Sequence, residues 1–170
     1  VLSKQFPGGN INIVGSNSAA GLASRPIRIL LCDEVDRYEA SAGTEGDPIS
    51  LATKRTTTFW NRKIFITSTP TIKGISRIEK AFEDSDQRHY HVPCPHCAEY
   101  QTLEWEYLKW EEGKPETAEY HCKFCEKVIP EESKQSILNK GVWVAKEDTK
   151  KSAGFHISEL YSPWRTWKEM

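Results

Sequence analysis

Apolar residues along this chain fall into short runs separated by polar and glycine-containing stretches. Three runs occupy residues 1–70: INIVG at 11–15, IRILLC at 27–32 and KIFITS at 63–68. Each is rich in β-branched residues and bounded by Gly, Pro, Asn or Ser, the pattern of a strand. The second and third do not alternate apolar with polar positions, which predicts strands buried on both faces. Between them, DPISLATKRTTTF predicts a helix with Asp47 as N-cap and Pro48 at the first helical position. A strand, a helix and a strand in that order predict a right-handed crossover and a parallel sheet. RYEASAGTEGDP, residues 37–48, is a polar loop just beyond the second strand. Ile75, Ile78 and Phe82 share one face at helical spacing and predict a helix over 75–84.

The pattern then changes. Residues 89–129 combine cysteines, the aromatic segment EWEYLKW and a turn-like EEGKPE, which predicts short antiparallel strands around a metal. Pro130 begins a short predicted helix that runs to Asn139, with Gly141 just after it. GVWVA and AGFHISEL read as two further strands, and there is no repeat or low-complexity segment. The fold class is α/β, organised as residues 1–88, a metal module at 89–130, and a connecting region at 131–170.

Composition adds bounds rather than identity. With 170 residues, 38% hydrophobic and 28% charged, the chain suits one medium domain or a partial domain plus a small module. No apolar run approaches the roughly 20 residues of a membrane span. The opening VLSKQFPGGN has no basic region leading into an apolar stretch and is not a signal peptide. Net charge is −1, but residues 48–78 contain no acid and six bases: Lys54, Arg55, Arg62, Lys63, Lys73 and Arg77. A polyanion can be met there; an ordinary basic face balanced by acids elsewhere reads the same way.

Candidate chemistry begins with RILLCDEVDRY, where Asp33 and Glu34 directly follow an apolar strand. In open α/β sheets the functional crevice lies at the carboxyl ends of the strands. The first carboxylate there can hold Mg²⁺ through water, and the second can orient or deprotonate an attacking water. The same letters also describe a strand entering a solvated loop. The third strand adds Thr67, Ser68 and Thr69 before Pro70, hydroxyls able to bond a γ-phosphate, its water or the acidic pair. The alternative is an ordinary Ser/Thr-Pro turn.

Of five cysteines, four form the pairs Cys94-Pro-His-Cys97 and Cys122-Lys-Phe-Cys125, 24 residues apart. Without a secretion signal this argues for metal rather than disulfides. Four thiolates suit a closed tetrahedral Zn²⁺ site that is structural rather than catalytic. His96 and His121 flank these cysteines and could replace one as ligand, though four sulfurs already suffice. Cys32 is expected to be an inert core thiol.

RPIRILLCDEVDRY, EGDP, KRTTTFWNRKIFITSTPTIKGISRIEKAF, SDQRHYHVPCPHC and GFHISELYSPW together resemble the GpA-type terminase large subunit of tailed phages and prophages, over nearly the whole chain. That resemblance implies part of a P-loop NTPase (RecA-like) parallel sheet followed by a zinc ribbon. It implies an ATP- and Mg²⁺-dependent motor that packages double-stranded DNA and a nuclease that cuts it. Such a motor works as a homo-oligomeric ring with a small terminase subunit and a portal protein, in the bacterial host cytoplasm and transiently at the procapsid portal, with no membrane. By resemblance Asp33 is the Mg²⁺-coordinating acid, Glu34 the catalytic glutamate, Thr67–Thr69 the coupling motif, and Arg25 and Arg28 candidate phosphate contacts. No G-x-x-x-x-G-K-[ST] loop and no nuclease acidic cluster is present. The phosphate-binding loop is expected before residue 1 and the nuclease after residue 170, so this chain alone is expected neither to hydrolyse ATP nor to cut DNA. The alternatives are another nucleic-acid-dependent ATPase of helicase type, or a non-enzymatic zinc-ribbon adaptor.

Overall fold

The computed structural model describes residues 2–148 and 152–170. These divide into two compact units, residues 1–80 and 81–170.

The first unit opens with a hairpin of β1 (Leu2–Phe6) and β2 (Gly9–Ile13), antiparallel with Leu2 opposite Ile13. Its turn is Pro7-Gly8, and Gly8 sits at φ +88°, where a side chain would be strained. The INIVG run thus supplies the second strand of a hairpin, on which Leu2, Phe6, Ile11 and Ile13 are all exposed. A short helix α1 (Ala19–Ala23) follows, its start capped by the Ser18 hydroxyl, which accepts from the Gly21 N–H.

Next, β3 (Ile29–Cys32) and β4 (Lys63–Ile66) pair in parallel, and α2 (Pro48–Lys54) connects them. Asp47 caps α2 as predicted, accepting from the Ser50 N–H at 2.8 Å, and Pro48 takes the first helical position. The helix is shorter than DPISLATKRTTTF suggested. Thr56 and Thr57 turn their hydroxyls onto the carbonyls of Thr53 and Lys54, an alternative to continued helix that threonine offers its own backbone.

Burial on β3 and β4 differs from expectation. Leu30, Cys32, Val35 and Ala52 form a small core, joined by Leu22, Ile27, Ile49, Ile66 and Ile78. The opposite face is open: Leu31 is 72% exposed and its cross-strand partner Phe65 is 59% exposed. Among the described residues, helices cover one face of this pair, so unbroken apolarity here did not mean burial on both sides.

Helix α3 (Arg77–Glu83) begins two residues later than predicted, after the Ser76 hydroxyl accepts from the Glu79 N–H. Ile75 consequently lies outside the helix and is 77% exposed.

The second unit is built on β5 (Arg88–Pro93). Its neighbours are β6 (Tyr100–Gln101), β10 (Val142–Val144) and β11 (Phe155–His156), the last parallel and the others antiparallel. A separate antiparallel sheet joins β7 (Leu108–Glu111), β8 (Lys114–His121) and β9 (Val128–Ile129). Helix α4 (Lys134–Asn139) sits where Pro130–Asn139 was predicted helical. One core unites these parts, including Val92, Leu103, Tyr120, Ile129, Leu138 and Leu160. The region expected as a connection, 131–170, contributes Ile137, Leu138, Leu160, Tyr161 and Trp167 to that core. The sheets are small and partly antiparallel; the architecture is mixed α/β.

Candidate functional site

Two constellations carry chemistry, one in each unit. The first lies at the carboxyl ends of β3 and β4. Directly after β3, Asp33 and Glu34 are exposed, and neither forms an ion pair among the described residues. Glu34 adopts φ 54°, ψ 45°, a left-handed conformation that costs a non-glycine residue about 1 kcal/mol or more. The hydroxyl motif is stitched to this turn. Thr67 N–H donates to the Cys32 carbonyl at 2.9 Å, and Val35 N–H donates to the Thr67 carbonyl at 3.3 Å. The Ser68 hydroxyl accepts from the Asp36 N–H and donates to the Thr69 carbonyl, each at 3.2 Å. The two motifs, more than 30 residues apart in sequence, thus form one edge.

A third acid, Asp36, was not singled out from the sequence. Its carboxylate accepts from Thr71 N–H, Thr71 hydroxyl and Ile78 N–H at 2.9–3.2 Å. Desolvation works against its charge, but hydrogen bonds from Ser76, Ile78 and Thr71 outweigh this and hold the carboxyl below its usual range. Arg77 complements it: the guanidinium donates to the carbonyls of Val35, Tyr38 and Glu39 and pairs with Asp47 at 3.5 Å. Asp36 and Arg77 therefore fasten the acidic turn to the start of α3. The only sequence signal was the third acid in DEVD and a base in GISRI. Burial pushes the Tyr38 hydroxyl up, and Cys32 and Asp33 add to the rise. Cys32 is buried as expected, and burial raises its thiol too.

Arg25 and Arg28 are not brought to this edge. Both precede β3, at its amino end, where Arg28 accepts through its carbonyl from Lys63 N–H. Arg25 lines a shallow cleft of about 190 Å³ with Lys54, Arg55, Thr57 and Thr58. A second cleft, about 520 Å³, lies in the second unit among His89, His91, Glu104, His156 and Tyr161. Burial first, then neighbouring positive groups, lower the His89 and His91 imidazoles. Neither cleft encloses the acidic edge, which stands on an open surface of the described residues.

The second constellation is the cysteine cluster. The sulfurs of Cys94, Cys97, Cys122 and Cys125 all lie within 4.8 Å of one another. Cys94–Cys125 and Cys97–Cys122 are each 3.8 Å apart. A tetrahedral ion with bonds of about 2.3 Å to sulfur requires edges of about 3.8 Å, so the four sulfurs fit one metal. Each pair sits in the same turn: Ala98 N–H returns to the Cys94 carbonyl, and Glu126 N–H returns to that of Cys122. His96 N–H and Phe124 N–H point at the Cys94 and Cys122 sulfurs at 3.4 Å. Burial opposes ionising Cys122, yet the N–H groups of Cys125 and Phe124 and the neighbouring thiols bring it down to about 7. Burial, with Cys122 and Cys97 nearby, pushes Cys94 up to about 12. A second thiolate this close needs a cation between the sulfurs. His96 and His121 are not ligands here; their rings bond the carbonyls of Val128 and Glu126.

Residues 1–143 match the family model described as phage terminase large subunit gpA, ATPase domain. The chain is 34% identical to the terminase large subunit of Enterobacteria phage P21, and 28% identical to that of Escherichia phage lambda. Each alignment covers 92% of this chain but 28% of the relative. The chain thus spans under a third of the length of these relatives. No solved structure matches it. No helix among the described residues is long and apolar enough to cross a membrane.

Proposed function

The chain belongs to the phage terminase large subunit gpA ATPase-domain family, and we propose that it forms the acidic half of a packaging motor's ATP site together with a structural zinc module. The observation that carries this reading is the joined edge of Asp33, Glu34, Thr67, Ser68 and Thr69 at the carboxyl end of a parallel strand pair. ATP with Mg²⁺ supplies the phosphoanhydride that is hydrolysed. Asp33, whose carboxylate forms no ion pair among the described residues, would hold the Mg²⁺. Glu34 orients the attacking water and accepts its proton. Ser68 is bonded to both the acidic turn and Thr69 and so links the two, and Thr67 and Thr69 offer exposed hydroxyls beside them. The phosphate-cradling loop, the nuclease, and contacts with a small terminase subunit and a portal belong to the longer protein, which acts on double-stranded DNA. That protein assembles as a ring in the bacterial host cytoplasm and docks transiently on the procapsid portal. Cys94, Cys97, Cys122 and Cys125 would hold a Zn²⁺ that staples the second unit.

Glu34→Gln in the full-length terminase tests the catalytic assignment. ATP turnover should fall at least about 100-fold, the range for losing a positioned base, while nucleotide binding persists. Turnover within a few-fold of the parent removes Glu34 from the chemistry.

A further inference from the structure

The acidic edge occupies one end of the β3/β4 pair, and the other end has the opposite character. Arg25, Arg28, Lys54, Arg55, Arg62 and Lys63 gather there by chain geometry. Ile27 N–H bonds the Arg55 carbonyl, Lys63 N–H bonds the Arg28 carbonyl, and Arg25 shares a cleft with Lys54 and Arg55. None of the six has an acidic partner among the described residues, and all but the half-buried Arg55 are exposed. Arg55 also keeps a buried Nε without a hydrogen-bond partner. No acid occurs anywhere in residues 48–78. In the middle of the loop after α2 stands Trp60, 95% exposed, with Arg62 and Lys63 following it.

Six uncompensated cations concentrated at one end attract a polyanion, and a fully exposed indole among them is an apolar contact without a protein partner. A cleft of about 190 Å³ falls below the roughly 300 Å³ at which pockets accommodate whole small molecules, but it admits a single phosphate group. Bases spread over a surface, with phosphate-sized recesses and hydroxyls at Thr57 and Thr58, suit a repeating phosphate backbone. We propose that this basic end of the first unit grips the backbone of duplex DNA, with Trp60 packing on the sugar and base edge of a groove. The choice of duplex over other polyanions rests on the terminase reading above; the phosphate contact itself does not. DNA would then be held at the strand ends remote from Asp33 and Glu34, with β3 and β4 as the rigid link between nucleotide and track.

The test uses the zinc-loaded 170-residue chain and a fluorescent duplex of about 20 base pairs, by anisotropy across a salt series without nucleotide. Omitting nucleotide makes the result independent of whether the acidic edge hydrolyses ATP. With about six phosphate contacts, affinity should fall about a thousandfold between 50 and 200 mM salt. R25E/R55E/R62E should lower affinity at least about 100-fold and flatten the salt slope by about three. W60A should weaken binding at fixed salt and leave the slope unchanged. The control K109E/K140E/K168E alters exposed lysines of the second unit and should bind as the parent does. Circular dichroism confirms that each variant is folded. Four results overturn the proposal: no binding by the parent at low salt, an unchanged slope in the arginine variant, equal loss in the lysine control, or a W60A effect on self-association in sedimentation without any on DNA.

Discussion

At the scale of single residues, the acidic turn separates chemistry from stability. Glu34 holds a positive φ that glycine tolerates freely. Glu34→Gly should therefore leave the melting temperature of this chain unchanged or raise it, by up to about 1 kcal/mol of stability, while ATP turnover of the full-length protein is lost. Asp36 behaves in the opposite way. Its carboxylate ties Thr71 and Ile78 to the turn, so Asp36→Ala should destabilise the first unit by about 1–3 kcal/mol. The pH dependence follows from its depressed folded pKa. Stabilisation from a carboxyl of that kind is complete above the unfolded value of about 4 and disappears as pH falls through the folded value. The gap in melting temperature between the parent and Asp36→Asn should accordingly be full at pH 7 and close in strong acid. A gap that stays constant down to pH 2 contradicts the assignment.

At the scale of elements, the turns decide more than the strands. Each cysteine pair is followed by a residue at positive φ, Ala98 at 62° and Glu126 at 60°, four positions after the first cysteine. Both turns also aim an N–H, of His96 and of Phe124, at the first cysteine's sulfur, and neither positive-φ position carries the glycine that would suit it. Glu126→Gly should raise thermal stability by about 1 kcal/mol without changing metal content. Gly141, between α4 and β10, shows the opposite constraint: a Cβ there would meet the Tyr90 ring at 2.4 Å. Tyr90 is itself fixed by its hydroxyl bond to the Leu138 carbonyl, so Gly141→Ala should cost about 1–3 kcal/mol. Glycine at 141 was legible as a helix stop, but the ring facing it was not, because Tyr90 is far away in sequence. Likewise, Asp47 and Pro48 announced where α2 begins, whereas its early end depended on threonine hydroxyls competing for carbonyls.

At the scale of the whole molecule, the two units rest on cores of different size. Among the described residues, a contiguous cluster of four buried apolar residues anchors the first, while a cluster of thirteen anchors the second. The second is further knitted by Tyr161, whose hydroxyl accepts from Leu103 N–H and donates to the Tyr90 carbonyl, both at 2.7 Å. Amide exchange should consequently be faster at β3 and β4 than at β5 and β8. Metal should matter most to the second unit. The purified chain should carry about one zinc ion, and Cys122→Ser should abolish it and unfold residues 81–170, since such a site contributes on the order of 10 kcal/mol to a small module. Retention of stoichiometric zinc by that variant excludes the four-sulfur site. The expectation of a sheet buried on both faces missed at Leu31 and Phe65 because apolar periodicity reports a preference for burial, not which part of a protein supplies the cover.

What the sequence determined by itself is chemistry encoded over a few covalent bonds: the two-residue spacing that lets a cysteine pair share one ion, the cap that starts α2, the acidic pair placed after a strand. Those features follow from local geometry and need no fold. Only the tertiary structure decided which distant residues meet. It joined Ser68 to the Asp36 backbone, set Arg77 across three carbonyls, and folded residues beyond 130 into the core around Tyr120. Such meetings arise from packing between segments tens of residues apart, where propensity and spacing along the chain carry no information about direction in space.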